Sequence, residues 1–204
     1  MNEKKMDSRV RRTKKLLREG LAQLMQEKSV KKISVRELSD LVEINRGTFY
    51  LHYKDIFDLV KEIEDELFEE FEEIVNSHEA LYSKNQVDGY FKENIYQFIV
   101  DICLFLDKNK KMCKVLLSAN GDLDFMLRLK NFINEKCYEE FFQNKRTEPI
   151  REKFNYAYAY FEAGAIGILG YWLKDKSPDR ESPEGVARTL EHIFLYGVSY
   201  LTKQ

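Results

Sequence analysis

Apolar positions recur at spacings of three and four in segment after segment of this chain, and none of its three prolines, at 149, 178 and 183, interrupts a periodic stretch. An all-α fold is predicted, with helices at about Val10–Gln26, Val35–Leu41, Arg46 to Tyr50 or Leu51, Asp55–Ser77, Asp88–Lys108, Lys111–Ala119, Asp122–Phe142, Arg151–Lys174 and Pro183–Lys203. Turns fall at Asn109, at Asn120-Gly121, over 144–149 and over 175–182. The long helix from Asp55 carries Ile56, Leu59, Ile63, Leu67, Phe71 and Ile74 along one stripe, opposite Glu62, Glu66, Glu69, Glu70 and Glu73.

The two shortest helices are the most specific signal. Ser34 precedes Val35-Arg36-Glu37, the order of a capping box, in which a serine hydroxyl meets free N–H groups and a glutamate three residues on reaches back. Asn45 is the next residue able to cap, so Val42, Glu43 and Ile44 are the whole turn between the helices. A three-residue connection of this kind makes a helix-turn-helix, whose second helix lies in a DNA major groove. Gly47 weakens that second helix by about 1 kcal/mol against alanine, but the missing side chain lets its backbone approach a phosphate or a base edge. Thr48 and Tyr50 place hydroxyls beside it, whereas Phe49 and Tyr53, four apart, are expected in the core.

On these residues, from about Thr13 to Val60, the chain resembles the DNA-binding domain of the TetR family of bacterial one-component regulators, and Asn45-Arg-Gly-Thr-Phe-Tyr-Leu-His-Tyr53 is close to that family's recognition-helix signature. The resemblance implies that Ser34 and Arg36 touch backbone or base from the first helix, that Arg46, Gly47 and Thr48 face base edges, and that Tyr50 and His52 sit on phosphates with Lys54 adding charge. Val35, Asn45 and Leu51 complete the expected DNA-contacting set. Two positions depart from the pattern: Glu43 stands where a turn glycine is usual, and Ile56 replaces a lysine that commonly contacts phosphate. The C-terminal half, with Val115-Leu-Leu-Ser-Ala-Asn-Gly-Asp-Leu-Asp-Phe125, is similar to the subgroup of that family akin to regulators of dihydroxyacetone kinase.

Charge divides the chain in the same place. Residues 1–54 carry 14 basic and 7 acidic side chains, a net of +7, whereas 55–204 carry 19 and 28, a net of −9, inside an overall −2. The expected organisation is therefore a three-helix DNA-binding helix-turn-helix domain over 1–54 and a larger helical-bundle domain for ligand binding and dimerisation over 55–204. Arg9, Arg11, Arg12, Lys14 and Lys15 are read as a solvated helix start, a disordered arm, or a basic arm that reaches an adjacent minor groove.

In the larger domain Gly164, Gly167 and Gly170 clear one ridge, with Tyr171 beside it and Val186, Leu190, Ile193, Phe194, Gly197 and Leu201 on the final helix. Two copies would pair these helices as a four-helix bundle, giving a homodimer matched to a palindromic operator. Phe105, Tyr138, Phe142, Tyr158 and Phe161 line either the core or a pocket for an unknown small-molecule effector, and Glu162 is either a rim residue or a polar contact for it. No cofactor, metal site or catalytic constellation is read, and the longest apolar run, 163–173, is too short to span a bilayer. Cys103, Cys113 and Cys137 fit reduced core thiols, and no signal peptide is read, so a cytoplasmic location is expected. The function expected is a ligand-responsive repressor that binds double-stranded DNA. The alternatives are an activator or co-regulator of a metabolic operon acting through a protein partner, and a ligand- or protein-binding module with weak DNA affinity.

Overall fold

The computed structural model describes residues 2–78, 88–116, 123–133, 135 and 151–202, with side chains from residue 8 onward in the first stretch. Its described elements are α1 (Asn2–Glu27), a 3-10 turn (Val30–Lys32), α2 (Val35–Leu41), α3 (Arg46–Tyr50), α4 (Ile56–Ser77), α5 (Asp88–Lys108), α6 (Lys110–Leu116), α7 (Leu123–Ile133), α8 (Arg151–Lys174) and α9 (Pro183–Thr202). The protein is all-helical, as its periodicity predicts, and no strand occurs among the described residues. The main difference lies at the start, where α1 begins at Asn2 rather than near Val10. Its first turns carry charges without an apolar stripe, so burial periodicity cannot reveal them.

The chain forms two compact units, one of Met1–Phe68 with Lys111–Phe125 and one of Glu69–Lys110 with Met126–Gln204. In the first unit, Leu17, Leu21, Leu24 and Met25 of α1 are buried together with Leu38, Phe49, Tyr53, Leu59 and Ile63. α1 and α2 approach so closely that a Cβ added at Gly20 would lie 2.3 Å from Val42 Cγ1 and 3.1 Å from Leu38 Cδ1. Glycine at position 20 is thus what allows the helix-turn-helix to seat against α1. Cys113, Val115 and Leu116 of α6 add buried surface to this unit.

The second unit holds α5, α8 and α9, with α9 packed on both of the others, together with the end of α4 and most of α7. Its buried side chains include Ile95, Ile99, Cys103, Phe105, Trp172, Leu173, Val186, Ala187 and Leu190. The loop between α8 and α9 is fastened by Arg180, which donates to Asp107 at 2.7 Å and to the Trp172 carbonyl at 3.1 Å, and whose guanidinium lies 4.0 Å from the Trp172 ring centre. The Trp172 indole N–H donates to the Glu181 carbonyl at 2.7 Å. Burial pushes the Cys103 thiol up to about 12. Along α4 the stripe is buried as expected up to Phe71, after which Val75 rather than Ile74 is the fully covered residue. Glu70 is not a solvated charge: it accepts from Lys108 at 2.6 Å and from Asn109 at 3.3 Å.

Candidate nucleic-acid interface

The α2–turn–α3 segment is held by backbone and cap hydrogen bonds. Ser34 is extended at φ −101° and ψ 152°, and its hydroxyl accepts from the Glu37 N–H at 3.2 Å. Glu37 does not close the box on Ser34; its carboxylate pairs instead with Lys28, which ties the start of α2 to the end of α1. At the C-terminus of α2, Glu43 adopts φ 55°, the Ile44 N–H donates to the Ser39 carbonyl at 3.0 Å and the Glu43 N–H to the Asp40 carbonyl at 3.4 Å. These bonds are those of a Schellman turn, where glycine is usual because a side chain in the left-handed region costs about 1–2 kcal/mol. The sequence departure at Glu43 is therefore accommodated by local strain, without a change in the turn.

α3 begins at the Asn45 cap, whose Oδ1 accepts from the Gly47 N–H at 2.7 Å. A Cβ on Gly47 would stand 3.2 Å from that same oxygen, so glycine also protects the cap. Phe49 is fully buried, with its ring centre 5.7 Å from that of Tyr53 and 5.6 Å from that of Tyr50. These anchors turn the other side of the segment outward. Ser34, Arg36, Asn45, Arg46, Gly47 and Lys54 are exposed, Tyr50 and Leu51 keep 58% and 80% of their surface, and Val35, Thr48 and His52 are half-buried. Arg36 makes a loose i, i+4 pair with Asp40 at 3.6 Å, whereas Arg46 has no ion pair with a described residue.

The start of α4 is acidic rather than basic. The Asp58 N–H donates to Asp55 at 2.9 Å and the Lys54 N–H to Asp58 at 2.9 Å, so both carboxylates are spent on backbone amides there. Ile56, which replaces the family's lysine, is 4% exposed and belongs to the core.

One carboxylate fixes the exit of the helix-turn-helix. Glu62 of α4 accepts from the Tyr53 hydroxyl at 2.6 Å, from Lys14 at 2.7 Å and from Arg18 at 3.2 Å, and Arg18 also pairs with Glu66. Lys14 Nζ lies 5.5 Å from the Tyr53 ring centre. Burial by itself would raise the Glu62 carboxyl, but the bonds from Lys14, Tyr53 and Arg18 outweigh it and hold Glu62 below the ordinary carboxylate value. The Tyr53 phenol is held well above its ordinary value, first by burial and then by Glu62. From the sequence, Tyr53 is expected only in the core and Glu62 and Glu66 on the acidic face opposite the apolar stripe. The signal was present in the matched spacing of four in both Lys14/Arg18 and Glu62/Glu66.

The expected sites of the second unit fare unevenly. On α8, a Cβ at Gly164, Gly167 or Gly170 would meet nothing within 4 Å, and Tyr156, Tyr160, Tyr171, Ile193 and Tyr196 are exposed. Val186 and Leu190, expected on the dimer face, are instead buried within the unit, because α9 turns that side toward α5. The half-buried Phe194 meets Phe161 edge to face at 4.6 Å, and the surroundings of Gly197 and the Leu201 side chain lie outside what the structure describes. Of the proposed pocket lining, Phe105 packs against Phe71 at 6.1 Å between ring centres, and Glu162 pairs with Lys130 at 3.2 Å. Tyr138, Phe142 and the Tyr158 side chain lie outside the described residues, as does Cys137. A cleft of about 550 Å³ occurs in the first unit instead, lined by Leu16, Glu19, Gln23, Leu41, Val42 and Lys111 among others. Among the described residues no helix is long and apolar enough to cross a membrane.

Residues 93–196 match the TetR-type family model described as a transcriptional regulator C-terminal region. No curated protein sequence matches the chain. Among solved structures, a chain titled dihydroxyacetone kinase operon activator DhaS is similar, with 17% identity over 94% of this chain and 95% of that chain at a TM-score of 0.40. The matched family region spans half of the sequence and its helices α5 to α9, and with it the chain belongs to the TetR family of transcriptional regulators.

Proposed function

We propose that this regulator binds double-stranded DNA through α3, as a homodimer on a palindromic operator. The observation that carries the reading is the two-sided α3 segment: Phe49 and Tyr53 are buried while Arg46, Tyr50, Leu51 and Lys54 stand out from a glycine-bearing helix capped by Asn45. In this reading Arg46 and Thr48 read base edges and Tyr50, His52 and Lys54 hold phosphates. The open ridge at Gly164 and Gly167, with Tyr171 and Ile193 beside it, supports pairing of α8 and α9 with a second copy. A two-fold protein of this kind spaces its half-sites about 34–36 Å apart, one helical turn. Repression and control by a small-molecule effector rest on the family resemblance alone.

Selection of bound duplexes from a random DNA pool by the purified protein tests this reading. The expected outcome is an enriched palindrome, on which Arg46→Ala loses about 1–3 kcal/mol of discrimination at one base position. Tyr50→Phe and His52→Ala should instead weaken operator and random DNA alike. No enrichment at low salt would refute DNA binding.

A further inference from the structure

The cleft of about 550 Å³ lies wholly within the first unit, between one face of α1, the end of α2 with its turn, and Lys111 near the start of α6. Its volume falls among those of small-molecule sites, about 300–1,000 Å³. Leu16, Glu19, Gln23 and Gln26 recur at spacings of three and four, so one face of α1 makes a wall about 15 Å long. Leu41 and Glu43 belong to the other wall. Leu16 and Leu41 keep 36% and 39% of their surface, and both line the cleft. Single exposed leucines are ordinary, but two from different helices on one floor form a shared apolar patch.

The charged lining is unbalanced toward the acids. Lys111 meets Glu19 only loosely, at 3.9 Å, and the Glu43 carboxylate has no ion pair or hydrogen bond to a described residue. An anion entering the cleft would face two carboxylates and a lysine already engaged. An uncharged apolar molecule would leave Glu43 unmatched beside it, whereas a cation with an apolar body suits both the acid and the leucines. Glu43 is also where the chain accepts backbone strain: at φ 55° glycine would fit freely, yet the residue present is one that puts a carboxylate on the cleft.

We infer that this cleft binds a small organic monocation with an apolar body, of the alkylammonium class, whose charged head meets Glu43 and Glu19 and whose body lies on Leu16 and Leu41. The site stands on the first unit alone; only its consequence rests on the DNA-binding reading. Glu43 comes two residues before the Asn45 cap of α3, so an occupant that bridges α1 and the turn is coupled to the recognition helix, and that coupling acts equally in both directions.

The test titrates n-hexylammonium, n-hexanol and hexanoate, which share one apolar body and differ in head charge, into isotope-labelled full-length protein without DNA, followed by amide chemical shifts. n-Hexylammonium should shift amides within residues 16–26 and 41–43 and at Lys111 saturably. Its dissociation constant should lie about three- to fivefold below that of n-hexanol, the upper range for a partly exposed ion pair, and hexanoate should bind weakest. Glu43→Gly, which relieves the turn and so keeps the fold, should bind n-hexylammonium no better than n-hexanol, and Glu43→Gln should lose the same preference with the side-chain length kept. Equal affinities for the three probes, shifts that fall only outside the cleft, or a preference that survives in Glu43→Gly overturns the site. Absence of DNA binding by the unaltered protein, with the probe preference intact, overturns the α3 reading and leaves the site standing.

Discussion

Replacing Tyr53 by phenylalanine removes one hydroxyl from the Glu62 cluster and nothing else. The ring remains to fill the core beside Phe49, so no cavity term arises. The bond it loses is a 2.6 Å contact to a carboxylate, a class that contributes about 1.5–3 kcal/mol net. Glu62 keeps Lys14 and Arg18, and about a third of its side chain is open to water, so the loss should fall near the lower end, at about 1.5 kcal/mol. The pH dependence gives the sharper check. Glu62 is depressed in the folded protein, so its contribution is present above the ordinary carboxylate range and is lost as pH falls through the depressed value. The difference between Tyr53→Phe and the unaltered protein should therefore be full at pH 7 and shrink toward pH 3. Urea unfolding followed by pulse-labelled hydrogen exchange, resolved to peptides within residues 8–68, measures this unit without reference to the other. A loss that is absent at pH 7, or that stays constant as pH falls, would refute the role of the carboxylate as the common acceptor.

Two further outcomes follow from the packing. Gly20→Ala places a methyl group 2.3 Å from Val42 Cγ1, so overpacking of about 1–3 kcal/mol should outweigh the helix-propensity gain of about 1 kcal/mol; a melting temperature that stays level or rises would contradict it. Cys103, fully buried with its thiol pushed up to about 12, should resist alkylation at pH 8 in the native protein and react readily in urea, as read by mass spectrometry.

The helix-turn-helix was legible because its determinants are local: Ser34 and Asn45 cap within three residues of themselves, and the turn between them is too short to be anything else. Even the strain at Glu43 could be anticipated from a single unusual residue in a known turn. What the sequence concealed depends on partners distant along the chain. Glu62 looked like one of several acids on one helix face, because two of its three donors lie in another helix, 44 and 48 residues away. Val186 and Leu190 were assigned to the outer face of α9 because apolar periodicity marks a stripe without saying which neighbour covers it. The early turns of α1 escaped notice for the opposite reason, since a helix that buries nothing leaves no periodic trace.

The fastening of the α8–α9 loop has a spectroscopic consequence. Trp172 is the sole tryptophan, so the protein's indole emission originates at one corner of the second unit, under the Arg180 guanidinium and beside the Glu181 carbonyl. Its wavelength and lifetime register whether that cation stays stacked, and tyrosines aside, excitation at the red edge leaves the reading head dark. The chain thus carries its own optical gauge of the α8–α9 corner, against which candidate small molecules can be titrated without any label.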